Sequence, residues 1–338
     1  MKVLITGGAG YIGSTIASAL EEKGHTPVLL DSLVTGKEAF VGNRTFYRGD
    51  VADRSLLQKI FREHDDITCT IHCAALILVP DSVARPYDYY TENVAKSLVL
   101  FDELARLGHG AVVFSSTASL YDVVPGFMVN EDSPLKPSSP YARSKHMMEL
   151  ALEDFSRAYA LRGVALRYFN PIGADPKLRS GMQIKEQSHV VPLLVDTALG
   201  KRKEFVITGT DWPTRDGSGI RDFIHVWDLA LAHVAAVERF DGLFDGEARG
   251  LRGKYRVINL GTGMGVTVKE LVAAFMKVYG KSIPLREADP RPGDVAGAFA
   301  NADTAWSALA WKPTKSIEEG IADALRWGEK RQSVLGYL

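Results

Sequence analysis

Seven residues near the start of the chain, Gly7-Gly8-Ala9-Gly10-Tyr11-Ile12-Gly13, limit its fold more than any others. They follow a short apolar run rich in β-formers, Lys2–Thr6. They precede a stretch, Ile12–Lys23, whose apolar residues have helical spacing. The string reads as G-x-G-x-x-G from Gly8 and as G-x-x-G-x-x-G from Gly7. Glycine permits a tight strand-to-helix turn and lets backbone N–H groups approach a pyrophosphate. The helix N-terminus beyond favours negative charge. Glycine turns also simply cap strands, so context decides. Here a strand precedes, a helix follows, and an acid, Asp31, closes the second strand, Pro27–Leu30. Asp31 lies 18 residues after Gly13, near the spacing of about 20 expected for a ribose-binding acid. The pattern predicts a dinucleotide site. A carboxylate at Asp31 accepts from ribose hydroxyls and repels a 2′-phosphate, which favours NAD over NADP; Lys37 or Arg44 nearby would soften that preference.

The first half alternates strand-like and helix-like segments. Thr68–Cys73, Ala111–Ser115 and Val164–Phe169 are further apolar runs of strand length, and Asn93–Leu107 and Ser144–Ala160 read as helices. Gly24 suits the C-terminal cap of the first helix. This rhythm implies βαβ units and a Rossmann-type, doubly wound parallel sheet. After Asn170 the texture changes. Asp175–His189 and Asp211–Gly219 are polar and aperiodic, and a late strand, Arg256–Leu260, ends in glycines. The expected organisation is an α/β dinucleotide-binding domain over 1–169 and a smaller C-terminal α/β substrate-binding domain over 170–338. Segments from roughly 215 to 262 are open to rejoining the main sheet.

Composition narrows the function classes. The chain has 338 residues, 46% hydrophobic and 24% charged, enough for a substantial core. Its 40 basic and 41 acidic residues give a net charge of −1, which leaves no footprint for nucleic acid or an anionic membrane. Two cysteines, Cys69 and Cys73, do not make a disulfide framework and point to a reducing compartment. Cys73 is a candidate nucleophile or a buried structural thiol, and no Cys-His pattern favours the first. Lys2–Thr6 runs straight into the glycine turn, without a signal peptide. No apolar run approaches the roughly 20 residues of a membrane span. The expectation is a cytoplasmic protein without a metal site.

Tyr141-Ala-Arg-Ser-Lys145 places a phenol and an amine four apart, on one face of a predicted helix. A phenol with a free pKa near about 10 is a poor base at neutral pH, and an adjacent ammonium would favour the phenolate. Alone, Y-x-x-x-K is also an ordinary surface pair. Ser115-Ser116-Thr117 adds weight, because it brings hydroxyls to the carboxyl edge of the sheet, where α/β sites lie. Gly49-Asp50-Val51 ends a further strand. A carboxylate followed by an exposed N–H suits an adenine edge, and a solvated turn aspartate is equally compatible.

These pieces resemble the extended short-chain dehydrogenase/reductase family, and within it the UDP-glucose (galactose) 4-epimerases. The resemblance runs nearly end to end. Besides Gly7–Ser14 and Tyr141–Lys145, it is carried by Gly49–Val51, His72–Ala75, Ser82–Asn93, Phe114–Thr117, Leu166–Ala174 (L-R-Y-F-N-P-I-G-A), Pro213–His225 (P-T-R-D-G-S-G-I-R-D-F-I-H) and Arg291–Asp294. It implies NAD as cofactor, held by Gly7, Gly10, Tyr11, Ile12 and Gly13 at the phosphates and by Asp31, Asp50 and Val51 around adenosine. Ala74, Asn93, Ser115 and Tyr168 lie on the cofactor side. Tyr141 is implied as catalytic base and acid. Lys145 holds the nicotinamide ribose and lowers the tyrosine pKa, and Thr117 bridges the sugar 4-hydroxyl and Tyr141. Asn170 contacts the nucleotide sugar, Arg221 and Arg291 the diphosphate, and Asp294 the uridine ribose.

The chain departs from the family at several substrate positions. Ile77 stands where a lysine is usual, Ser188-His189-Val-Val-Pro192 replaces N-N-L-M-P, and Thr208 replaces an aromatic against the uracil. Ala298 falls near the position that gates bulk at the sugar C2, so an N-acetyl group is a candidate. Lys177, Arg179 and Lys185 could reach a phosphate or a sugar carboxylate, or form a solvated loop. A 4,6-dehydratase or decarboxylase would need carboxylates after Thr117, where this chain has Ala118-Ser119. A net reductase and a non-enzymatic NAD sensor are the remaining rivals. Apolar stripes on Asn93–Leu107 and Ser144–Ala160, including Met148, Leu152, Phe155 and Tyr159, fit core packing. The resemblance adds a homodimer through a four-helix bundle.

Overall fold

The fold is a computed structural model that describes residues 1–244, 254–290 and 294–336. In chain order its strands are β1 (Lys2–Thr6), β2 (Thr26–Asp31), β3 (Thr45–Arg48), β4 (Ile67–His72), β5 (Ala111–Ser115), β6 (Met128–Val129), β7 (Arg162–Tyr168), β8 (Asn170–Ile172), β9 (Phe205–Thr208), β10 (Ile220–Arg221), β11 (Phe223–His225), β12 (Tyr255–Leu260), β13 (Val266–Thr267), β14 (Leu285–Ala288) and β15 (Gly297–Ala300). Its α-helices are α1 (Tyr11–Glu22), α2 (Arg54–Glu63), α3 (Val79–Ala84), α4 (Pro86–Tyr89), α5 (Lys96–Arg106), α6 (Pro140–Ala158), α7 (Val190–Ala198), α8 (Val226–Glu238), α9 (Val268–Tyr279), α10 (Asp303–Ala308) and α11 (Ile317–Leu335).

Seven strands form one sheet in the order β12-β7-β5-β4-β1-β2-β3, with every pair parallel. Side chains alternate across a strand, so β1 feeds both faces. Val3 and Ile5 join Ile16 and Leu20 of α1 and Leu229 of α8. Leu4 joins Leu57, Leu100, Leu104 and Leu152 from α2, α5 and α6. Pro27 is tolerated in β2 because β3 pairs only from Val28 onward, leaving that flank of Pro27 outside the ladder. The strand order reverses between β1 and β4. The crevice outside their carboxyl ends is where ligands bind in such sheets.

The chain returns to this sheet after residue 169. Helix α8 packs on α1, and β12 pairs with β7 at the sheet edge. The remaining late segments, joined by β6 from the first half, form an annex of small sheets, β13-β10-β15-β6, β11-β8 and β14-β9. Leu194, Phe205, Phe223, Leu271, Phe275 and Ile321 fill its core. Capping boxes at Thr267/Glu270 and Ser316/Glu319 start α9 and α11.

Two helices differ from the periodicity reading in ways that matter for the site. The predicted helix over Asn93–Leu107 begins with a π-helical turn, Tyr90–Ala95, before α5. The wider turn carries Asn93 fully into the interior. The predicted helix over Ser144–Ala160 starts earlier, at Pro140. Ser139 caps it by accepting from Ala142 N at 3.1 Å, and Pro140 occupies the first turn, where its missing N–H costs nothing. Tyr141 therefore stands in the first turn of α6.

Candidate active site

The glycine turn lies in the β1/β4 crevice, and its glycines are sterically required. Gly7 has φ +70°, and a Cβ there would stand 2.7 Å from Ala74 N. A Cβ on Gly13 would stand 2.2 Å from Gly7 O. Gly10 caps α1 without a side-chain hydrogen bond, so Tyr11, Ile12 and Gly13 present first-turn N–H groups to the crevice. This cradle of backbone donors and α1 dipole fits a pyrophosphate. Tyr11 donates through its hydroxyl to Gly173 O at 2.7 Å, tying the turn to the annex. Gly13→Ala is expected to weaken NAD binding by at least about tenfold, since the added methyl must displace backbone. NAD content after gel filtration measures it, and an unchanged content would contradict the cradle.

Asp31 ends β2 with Oδ2 accepting from Ala9 N at 2.9 Å and Oδ1 from Leu33 N at 2.8 Å. Burial raises its pKa, and these two donors oppose the rise. Arg44 is occupied elsewhere, on Glu21 at 2.7 Å. Asp50 accepts from Ala52 N at 2.9 Å and pairs with Lys96 at 2.6 Å, beside the buried Val51. Asn93 clamps the loop after β4. Its Oδ1 accepts from Leu76 N at 2.7 Å, while Nδ2 donates to Leu76 O at 3.0 Å and Ser144 Oγ at 2.9 Å. Ile77, next in that loop, is exposed.

The three hydroxyls at the end of β5 take different directions. Ser115 Oγ lies 3.0 Å from His233 Nε2. Because His233 Nδ1 meets Leu229 O at 2.9 Å, that nitrogen carries the proton and Nε2 accepts from Ser115. Ser115 Oγ also lies 3.1 Å from Cys73 Sγ. Ser116 donates to Glu149. Thr117 remains for the site; it donates to Ser119 Oγ at 3.1 Å and accepts from Ser119 N at 3.2 Å, and it lowers the Tyr141 phenol. Tyr141, Lys145 and Glu149 share one face of α6 at i, i+4 and i+8.

The lysine is anchored on the backbone. Lys145 Nζ donates to Ser115 O at 2.9 Å and stands over the Phe114 ring at 4.9 Å. Burial pulls it down to about 8. Burial also raises the Tyr141 phenol, and only Thr117 opposes this. The Lys145 ammonium is turned toward a backbone carbonyl. The two thiols are held in their neutral form. Burial pushes the Cys73 thiol up to about 11, and that of Cys69 up to about 12.

Two buried histidines support the strand ends. His72 accepts from Thr6 Oγ1 at 2.7 Å through Nδ1 and meets Ser97 Oγ at 2.8 Å through Nε2. Burial, then Lys145, pulls His72 down to about 3. Burial pulls His233 down to about 4. An unfolded histidine titrates near about 6.5, so the unfolded chain binds more protons in between, and stability is lost as pH falls through that window. At about pH 5 each histidine is expected to cost about 2 kcal/mol. Denaturant midpoints at neutral pH and at about pH 5 check this; coincident midpoints would contradict neutral burial.

On the annex side, Asn170 opens β8, its N–H donating to Asp222 O at 3.0 Å. Arg221 lies on β10 opposite Ala298 of β15. Its guanidinium donates to Ile220 O at 2.7 Å and Ala296 O at 2.8 Å. Gly297, which the sequence reading overlooked, makes room for it: at φ +122°, a Cβ there would stand 2.0 Å from Arg221 Nη1. Asp222 knits the adjoining loops, accepting from Thr262 N at 2.9 Å, Gly263 N at 3.1 Å and Ala300 N at 3.2 Å. Thr208 and Asp294 come together at 3.4 Å. Ser188 precedes His189, which caps α7 and is lowered by burial. Arg291 lies outside the described residues. Lys177 and Arg179 bind Glu22, both at 2.8 Å, and Arg179 also binds Asp175 at 2.6 Å. Both pair with the Glu22 carboxylate on the flank of α1. Glu149, His233 and Gly297 escaped sequence reasoning; only Glu149 left a signal, its i+8 spacing from Tyr141.

Residues 3–261 match the NAD dependent epimerase/dehydratase family. The chain is 40% identical over 337 residues to a UDP-glucose 4-epimerase of Azospirillum brasilense, covering 99% of this chain and 94% of that one. It is similar to the UDP-glucose 4-epimerase of Stenotrophomonas maltophila, solved with NAD and formylated UDP-arabinopyranose, with TM-score 0.91 and 34% identity over 98% of this chain and 99% of that one. The Bifidobacterium longum UDP-glucose 4-epimerase, solved with NAD+ and UDP, gives TM-score 0.90 and 34% identity over 99% and 100%. The chain belongs to the NAD dependent epimerase/dehydratase family. Within that family it is an enzyme of the UDP-glucose 4-epimerase type, an NAD-dependent 4-epimerase of UDP-sugars.

Proposed function

We propose that this enzyme interconverts UDP-glucose and UDP-galactose by inversion at C4. The observation that carries the reading is that Thr117 follows β5 at the carboxyl edge of the sheet and the first turn of α6 sets the buried Tyr141 there, beside the glycine cradle. Bound NAD, held by the cradle, Asp31 and Lys145, supplies a reversible hydride acceptor. Tyr141 takes the proton of the sugar 4-hydroxyl and later returns it to the 4-oxygen, after the keto sugar has turned its other face toward the hydride, with Thr117 aligning the two oxygens. Asn170 and Arg221, with Arg291, hold the UDP while the 4-keto sugar turns. Asp294 and Thr208 stand at the uridine end. Net redox is zero, so NAD stays bound and is reused.

A panel of UDP-glucose, UDP-GlcNAc, UDP-glucuronate and UDP-xylose, followed for C4 inversion without added NAD, tests the reading. Turnover of UDP-glucose is expected, and its absence beside turnover of another sugar would overturn it. UDP-GlcNAc is the second reading, favoured by the small Ala298 opposite Arg221. The uronate reading is not favoured by Lys177 and Arg179, which pair with carboxylates of the protein.

We infer a homodimer through α5 and α6. Met148 and Leu152 pack inward, but Leu98, Met147 and Leu150 remain exposed on these two helices. Burying them against a second copy gives the four-helix bundle. Leu150→Glu is expected to yield monomers in sedimentation; an unchanged dimer would place the interface elsewhere. The free thiols Cys69 and Cys73 support a reducing, cytoplasmic setting. Among the described residues, no helix is long and apolar enough to cross a membrane.

A further inference from the structure

We propose that residues 178–187 form a strap over the cofactor groove, and that Gln183 is a cofactor-retaining residue of this strap. This rests on the reading above that NAD is kept through turnover. The segment is aperiodic in sequence and has no helix or strand of its own, yet it is fastened at several points. Gln183 is buried. Its Nε2 donates to Thr35 O at 3.4 Å and would lie 3.9 Å from a Cβ on Gly10. One amide thus reaches both edges of the groove: the glycine turn that cradles phosphate, and the loop that follows Asp31. The same two edges are joined from below by Lys37 N donating to Ala9 O at 2.8 Å.

Helix α11 holds the strap from outside. Trp327 Nε1 donates to Met182 O at 3.0 Å, Lys330 Nζ to Leu178 O at 3.1 Å, and Arg331 Nη2 to Ile184 O. Three side chains of α11, at i, i+3 and i+4, therefore satisfy carbonyls that an irregular segment cannot pair for itself. Gly181 is required beneath the indole, since a Cβ there would stand 2.5 Å from the Trp327 ring. Ser180 Oγ meets Thr15 Oγ1 of α1 at 3.3 Å. A cofactor beneath such a strap leaves only when the strap peels from α11 and from Thr35, so its release is gated by local opening.

The test uses purified holoenzyme, gel-filtered into buffer without NAD, with released NAD followed over time. Gln183→Glu keeps the side-chain volume and turns a carboxylate toward a groove built for a diphosphate. The double variant Lys330→Met/Arg331→Met removes two of the α11 donors. Each is expected to release NAD at least about tenfold faster than wild type, and turnover after gel filtration is expected to become dependent on added NAD. Release within about twofold of wild type in both variants would overturn the strap. If the double variant melts early, Gln183→Glu decides alone. Rapid loss of NAD from the wild type itself would contradict the retained-cofactor reading instead.

Discussion

Tyr141→Phe is expected to lower turnover by about a thousandfold, within the range for loss of a positioned acid–base group. That corresponds to roughly 4 kcal/mol of transition-state stabilisation. NAD content should not change, because the ring and its packing persist and only the hydroxyl is lost. The pH profile separates this from a folding defect. Burial raises the Tyr141 pKa, so its base form is scarce at neutral pH. Wild-type turnover should rise with pH as the phenol ionises, and the variant should lose that limb. Thr117→Val should move the limb to higher pH, because Thr117 is what lowers the phenol. Full turnover in Tyr141→Phe would make another group the base.

Glu149→Leu is expected to have the largest effect on stability. Arg167 and Glu149 are both buried, with Nη2–Oε2 at 2.6 Å and Nε–Oε1 at 3.0 Å. Arg167 also donates to Tyr121 OH at 3.1 Å, and Tyr121 to Asn259 at 2.6 Å. Burial works against the Arg167 charge, and the Glu149 carboxylate more than offsets it. Removing Glu149 leaves a buried, uncompensated guanidinium, which costs about 3–5 kcal/mol. A fall of roughly 5 °C in the melting midpoint follows. The double variant Glu149→Leu/Arg167→Met should recover most of it, since no charge is then stranded. A single variant that melts with the wild type would remove the pair from the account. Catalysis should suffer too, because Ser116 loses the carboxylate that holds it beside Thr117.

The parallel sheet was legible because its strands are buried on both faces and read as continuous apolar runs, as in Val3-Leu4-Ile5 and Val112-Val113-Phe114. The glycine turn was legible because its requirement is local: Gly13 meets Gly7 six residues away in sequence. Tyr141 and Lys145 were legible as a helical pair, but their electrostatics were not. Where Nζ points depends on Ser115 O, a carbonyl 30 residues distant. The π-helical turn that turns Asn93 inward has no propensity signature, and only contact with Leu76 and Ser144 reveals it. Lys177 and Arg179 carried charge whose target no local pattern could name. Their partner, Glu22, lies on the first helix. Gln183 looked like one polar residue in an aperiodic loop until α11 folded against its neighbours.

The central claim is that NAD is a retained hydride store, reduced and reoxidised within one turnover. The direct measurement is the fate of deuterium placed at C4 of UDP-glucose, with gel-filtered enzyme and no added NAD. The account expects the label at C4 of UDP-galactose, undiluted by solvent protons. Label washed into solvent, or inversion that stops until NAD is supplied, would contradict it.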